Sequence, residues 1–193
     1  MTDRAPLRTA AASITIAILA VLVLAADQFA KHLALTSLEW QTPVPVLGEV
    51  LQWYLVLNPG AAFSIGEGVT WIFTIALAVV ACGIVWLAFT RVHSRVWAVV
   101  LGLLLGGVLG NLTDRLFRDP GFAVGHVVDF ISTPWMMPAI YNVADVFIVG
   151  SMIAVAALTL FGVGLDGRRA PKADAATADP SPGAPAADAP RED

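Results

Sequence analysis

Four apolar runs, at about residues 10–35, 69–90, 96–115 and 139–161, set the terms on which this chain can fold. A hydrocarbon layer about 30 Å thick takes ~20 helical residues to cross, and each run is near that length. Inside lipid the backbone finds no water to bond, so a spanning segment must close its own hydrogen bonds, as a helix does. The runs therefore predict four transmembrane helices. Composition agrees, with 58% hydrophobic and only 13% charged residues, roughly half the charged share of a soluble domain. Nucleic-acid binding is excluded as a reading, because the basic residues lie in short clusters beside the apolar runs and form no basic face.

The first run follows Arg4 and Arg8 and reaches a Val-Leu-Ala-Ala stretch ending at Ala26, which resembles the cleavage site of a secretory leader. Cleavage there would start the chain near Asp27. A retained span is preferred, because it keeps Asp27, Gln28 and Lys31 on a helix, with Asp27 and Lys31 four apart on one face, where they pair. Between the first two runs, Pro43, Pro45, Gly48, Pro59 and Gly60 punctuate short β-prone pieces, which predicts a small β-rich element over about 36–68 at the membrane surface. Trp40, Trp53 and Tyr54 suit that interfacial place. Leu116–Pro138 reads as a second, non-helical connection. Gly102, Gly106, Gly107 and Gly110 in the third run predict close helix packing. Residues 1–165 thus form one four-span domain, and 166–193, mostly Ala, Asp and Pro, a disordered cytoplasmic tail.

The single cysteine, Cys82, rules out an internal disulfide and reads as a small buried thiol. His32, His93 and His126 show no metal-ligand spacing, so neither a metal nor another cofactor is expected.

Arg4 and Arg8, Arg91 and Arg95, and Arg168 to Lys172 fall on one side of a four-span chain, and the excess of basic residues marks that side as cytoplasmic. Both termini are then inside. The remaining polar residues, Asp27, Lys31, Asn58, Asn111, Asp114, Arg115, Asp129, Asn142 and Asp145, gather at the outer face.

Asp145 lies within an apolar run, where an ionised carboxylate costs at least ~2.5 kcal/mol and needs a partner, a water-filled cavity or a function. With Asp129 it can form a pair sharing one proton, one carboxyl acting as acid while the other, as base, activates water. The alternative is that each caps a helix or meets a cation; for Asp129, read as lying in a loop, spacing leaves both open. Asn142 and Asp145, three apart, share a helix face in this reading. Asp114 is read as network support. Arg115 either supports the helix end or binds a lipid phosphate or peptide carbonyl. Asn58-Pro59-Gly60-Ala61-Ala62-Phe63 is a turn of small residues suited to close approach of a peptide. Three functions remain: an endopeptidase, a small transporter or ion channel using intramembrane carboxylates, and a structural subunit. Against transport, the polar residues cluster at one face and no internal repeat is evident.

Five stretches together resemble the lipoprotein signal peptidase (signal peptidase II) family of membrane aspartic proteases: Asp27-Gln28-Phe29-Ala30-Lys31, the Asn58–Phe63 turn, Gly106 to Arg115, Gly125-His126-Val127-Val128-Asp129-Phe130, and Tyr141-Asn142-Val143-Ala144-Asp145. Ala30 and Tyr141 depart from the usual Thr and Phe. The resemblance implies four helices with an extracytoplasmic β-cradle and a catalytic dyad of Asp129 and Asp145. Asn58, Asn111, Arg115 and Asn142 would line the substrate site, with Gly60, Asp27, Lys31 and Asp114 as further binding or supporting residues. The implied substrates are diacylglyceryl-modified prolipoproteins, cut just before the lipidated cysteine. The enzyme would be a monomer among phospholipids in the bacterial cytoplasmic membrane, with its active site at the outer face.

Overall fold

The computed structural model describes residues 9–60 and 69–169. Arg4, Arg8, the Ala61–Phe63 part of the turn motif and the tail from residue 170 lie outside the described residues. The elements run α1 (Thr9–Ser37), β1 (Val44–Pro45), β2 (Gln52–Asn58), α2 (Thr70–Thr90), α3 (Arg95–Phe117), β3 (Val127–Ser132), β4 (Ile140–Tyr141) and α4 (Val143–Leu160). All four helices are long and apolar enough to cross a membrane.

The central helix is α3, with 72% of its most apolar stretch buried against 11–22% in the other three. It packs along α1, α2 and α4. Its glycines make that position possible. A Cβ on Gly106 would sit 2.5 Å from Val23 Cβ, and one on Gly107 would sit 2.6 Å from the Ala144 carbonyl. The two residues thus seat α1 and α4 at backbone distance, the close approach that small residues permit in membranes. The apolar core among the helices comprises Ile16, Ala20, Ile84, Trp97, Leu101, Leu104, Leu105 and their neighbours. Cys82 departs from its sequence reading: it is exposed. The cause is the narrow contact of α2, which buries Thr70, Thr74, Ala81, Ile84 and Ala88 and turns the adjacent residue outward.

At one end of the bundle the α2–α3 turn meets the residues after α4: His93 and Ser94 donate their backbone N–H groups to the Leu165 carbonyl, and Trp97 Nε1 donates to Val163 O. Arg91, Arg95, Arg168 and Arg169 belong to this end. A four-stranded antiparallel sheet, ordered β1-β2-β3-β4, covers the other. Half of it comes from residues that sequence reading placed in a non-helical connection and at the start of the fourth span. In β3 the two-residue period sends Val128 and Phe130 onto Ala34 of α1 and Leu55 of β2, and turns Val127 and Asp129 to the opposite face. Asp129 therefore stands on a strand.

Candidate active site

The chain enters α4 from β4, so Asn142 arrives extended, at φ −134° and ψ −178°, as the N-cap of the helix. Its side-chain oxygen accepts from the Asp145 N–H at 3.0 Å, while Asp145 Oδ2 accepts from the Asn142 N–H at 3.1 Å. This reciprocal cap satisfies two donors that a helix start leaves free. Asn142 is thus outside the helix whose face the sequence reading gave it, because β4 holds the preceding residues extended. The other Asp145 oxygen, Oδ1, accepts from Asn111 Nδ2 of α3 at 2.8 Å. Asp145 caps a helix and faces a cavity at once, so capping and a chemical role do not compete.

Asp129, 2% exposed, projects from β3 towards the same place. Asn58 Nδ2, at the end of the neighbouring β2, donates to its Oδ2 at 3.0 Å, and Asn142 Nδ2 donates to its Oδ1 at 2.6 Å. Asn142 therefore stands between the two carboxyls, bonded to that of Asp129 through its side-chain amide and to that of Asp145 through its backbone N–H. Burial, with the neighbouring Asp145 charge second, pushes the Asp129 carboxyl up to about 7, while the Asn58 and Asn142 amides and Lys31 oppose the rise.

Behind these groups is a buried charge cluster. Lys31 Nζ donates to Asp27 Oδ2 and Asp114 Oδ2, each at 2.8 Å, and to Asn111 Oδ1 at 2.9 Å. Asp27, Lys31 and Asp114 are fully buried. Gln28 Nε2 bonds Asp27 and Asp114, and Arg118 Nε pairs with Asp114 at 2.6 Å. The Arg115 guanidinium grips four backbone carbonyls: Nη1 donates to Asn58, Pro59 and Gly125, and Nη2 to Gly60. It thereby fixes the turn that carries Asn58, while Asn58 Oδ1 accepts from the Gly60 N–H.

A cavity of about 620 Å³ opens over the two carboxyls. Asn58, Gly60, Asn111, Arg115, Asp129 and Asp145 line it; Asp27, Lys31 and Asp114 do not, and Asn142 is wholly buried beneath. The remaining wall is apolar: Phe73, Ala76 and Leu77 of α2, Val146 and Val149 of α4, and Val127, Met136, Met137, Ala139, Ile140 and Tyr141. Sequence reasoning gave none of these wall residues a role. Val149 could have been found, four places beyond Asp145 on a helix, as could Arg118, four beyond Asp114. Phe73 and the two methionines carry no such signal, since only the tertiary fold brings them to the dyad.

The sequence profile of the family described as Signal peptidase (SPase) II matches residues 19–161. A protein named lipoprotein signal peptidase from Leifsonia xyli subsp. xyli is 51% identical over 170 residues, covering 86% of this chain and 78% of its own length. Its namesake from Mycolicibacterium smegmatis is 47% identical over 167 residues, covering 86% and 68%. The fold is similar to a solved bacterial membrane enzyme at 28% identity, with a TM-score of 0.68 over 76% of this chain and 87% of that one.

Proposed function

This chain belongs to the signal peptidase II family, and from that premise we propose that it is an aspartic endopeptidase whose dyad is Asp129 and Asp145. As a multi-pass membrane protease it acts on lipoprotein precursors. The observation that carries the reading is the convergence of a strand carboxyl and a helix-cap carboxyl on one cavity, each held by a side-chain amide, with Asn142 bonded to both.

In the proposed reaction, Asp129 holds the shared proton near neutral pH, consistent with a pKa of about 7. Asp145 takes a proton from water as the water oxygen attacks the scissile carbonyl carbon, and Asp129 gives its proton to the carbonyl oxygen. The tetrahedral diol then collapses. The C–N bond breaks, the proton on Asp145 passes to the leaving nitrogen, and one diol hydroxyl returns a proton to Asp129 as the new carboxylic acid forms. Charge balance supports a single shared charge: the buried Asp27 and Asp114 pair with Lys31 and Arg118, and Arg115, which lines the cavity, carries the one remaining positive charge opposite the dyad.

The apolar α2 and α4 walls suit acyl chains and an apolar signal segment, which supports a diacylglyceryl-modified substrate cut just before its lipidated cysteine. The basic residues at the opposite end of the bundle support an active site at the outer face, with cytoplasmic termini. A lipid-anchored substrate would then present its scissile bond at the depth of the dyad. The transporter alternative is not retained, since the relatives are peptidases and the polar groups described above sit at one end of the bundle.

The test is cleavage of a diacylglyceryl prolipoprotein by purified protein, beside the same substrate without lipid. Asp129→Asn and Asp145→Asn should each remove activity while leaving a folded protein in detergent. Full activity in either variant refutes the dyad, and equal cleavage of the unlipidated substrate refutes the substrate class.

A further inference from the structure

Lys31 has no part in the chemistry above and does not line the cavity, yet it is fully buried with three oxygen partners within 2.9 Å. A buried ion pair is a weak device for stability alone. Its connections point elsewhere. Asp27, paired with Lys31 through Oδ2, uses Oδ1 to accept the Ala144 N–H at 2.8 Å, one residue before Asp145. Asp114, paired through Oδ2, accepts the Val128 N–H at 3.2 Å on that same oxygen, one residue before Asp129. The third partner, Asn111 Oδ1, receives both Lys31 and Asn142 Nδ2, at 2.9 and 3.1 Å. An amide turned the other way would set its NH₂ against an ammonium and a second NH₂. Its oxygen is therefore pinned inward, and its NH₂ must face Asp145.

We propose that Lys31 is the positioning residue of this enzyme, the hub whose three arms fix the backbone of β3 beside Asp129, the first turn of α4 beside Asp145, and the amide that bonds Asp145. The proposal rests on the dyad reading and adds to it a residue that bonds neither carboxyl and places both through its partners. Its arms reach the two carboxyls from α1 and α3, so Lys31 governs their mutual placement and leaves the apolar substrate wall alone. Loss of Lys31 should then lower kcat and spare KM.

The test uses the full chain in detergent with the lipidated substrate. Lys31→Met combined with Asp27→Asn removes the ion pair without stranding a charge, since the amide oxygen that replaces the Asp27 carboxylate can still accept from Ala144 and Arg118 still pairs with Asp114. Misplacing reacting groups by about 1 Å costs on the order of 100-fold, so kcat should fall about 30- to 100-fold with KM unchanged within about 3-fold. Leu104→Ala, in the apolar core, serves as a control for general destabilisation, and its kcat should stay near native even where its melting temperature falls as far. A folded double variant with near-native kcat overturns the proposal, as does a loss that appears only in KM or that Leu104→Ala reproduces. If the double variant does not fold, Asn111→Asp decides: it keeps an oxygen for Lys31 but offers Asp145 no donor, and a near-native kcat there overturns the proposal. Asp129→Asn and Asp145→Asn run alongside. If they are active the dyad itself has failed; if they are inactive while the Lys31 variant is native-like, only the positioning role has.

Discussion

Along most of their contact, α1 and α3 meet through small and aliphatic groups: Gly102 lies against Ile16 and Leu19, and Gly106 against Ala20 and Val23. Two turns beyond Gly102 the same helix pair presents Gly110 against the Asp27 carboxylate, and from there outward the contact consists of Asp27, Lys31, Asn111 and Asp114. The first region is held by packing without directional bonds; the second by hydrogen bonds whose geometry is specific. The two are continuous, because the backbone approach set by the glycines is what brings Lys31 within 2.9 Å of Asn111. The apolar half sets the spacing, and the polar end converts it into placement of two carboxyls. A substitution in one half should therefore read out differently from one in the other: melting temperature in the first, turnover in the second.

The largest separation is expected for Asp145→Asn and Asp129→Asn, each lowering cleavage by at least about 10³-fold, since loss of a general acid or base removes 10²–10⁴. Their melting temperatures should stay near native. Asn142→Ser comes next. Serine can still cap α4, but it lacks the amide that reaches Asp129 and Asn111. A loss of about 10²–10³ in kcat is expected, the range for removing one preorganised donor, together with a helix start preserved by circular dichroism.

A sharper break pairs two glycines on one face. A Cβ on Gly110 would lie 2.5 Å from Asp27 Oδ2, whereas one on Gly106 would lie 2.5 Å from Val23 Cβ. The displaced partner is a carboxylate in the first case and a core side chain in the second. Gly110→Ala should lower kcat by about 10- to 100-fold through misplacement of the α4 turn. Gly106→Ala should instead lose about 1–3 kcal/mol of stability by overpacking, with the folded fraction retaining near-native kcat. If both variants behave alike, the two halves of the interface do not differ in role.

The apolar half was legible from sequence because its signal is local: run length predicts the spans, and glycine spacing predicts the close packing. The Asp27–Lys31 pair followed from four-residue spacing on one helix. What escaped is non-local. Val127–Ser132 is six residues between Pro- and Gly-rich pieces, and it becomes a strand by pairing with Gln52–Asn58, about seventy residues earlier. Without that strand Asp129 had no direction, and its meeting with Asp145 rested on family resemblance. Asn142 is a different case. An Asn followed three residues later by Asp is a helix-start signature, but the apolar run extends back to Ala139, and hydropathy placed the helix start there. Arg115 shows a third limit: no spacing rule foretells a guanidinium bonded to four carbonyls of two separate loops.

The effect most specific to the polar end is in the pH dependence of stability. Burial and the Asp145 charge place the Asp129 carboxyl at about 7, against the ordinary value of 3.8. A carboxyl with a raised folded-state pKa binds its proton more tightly when folded, so stability is greatest below the unfolded-state value and declines as pH rises towards about 7. Above that the folded state keeps the full penalty of a buried charge. The displacement amounts to a few kcal/mol, on the order of 2–4, between pH ~4 and ~8. Asp129→Asn removes the titrating group, so its melting temperature should be flatter over this range than that of the native protein, whatever the offset from mismatched amides. Leu104→Ala, at the apolar end, should lower the whole curve and leave its slope unchanged. Cleavage should follow the same group, with kcat/KM falling above about pH 7 as Asp129 of the free enzyme loses the proton it donates. Equal slopes for the native protein and Asp129→Asn, measured by thermal unfolding in one detergent across that range, would mean that Asp129 is charged in the resting enzyme and that the shared proton belongs to Asp145.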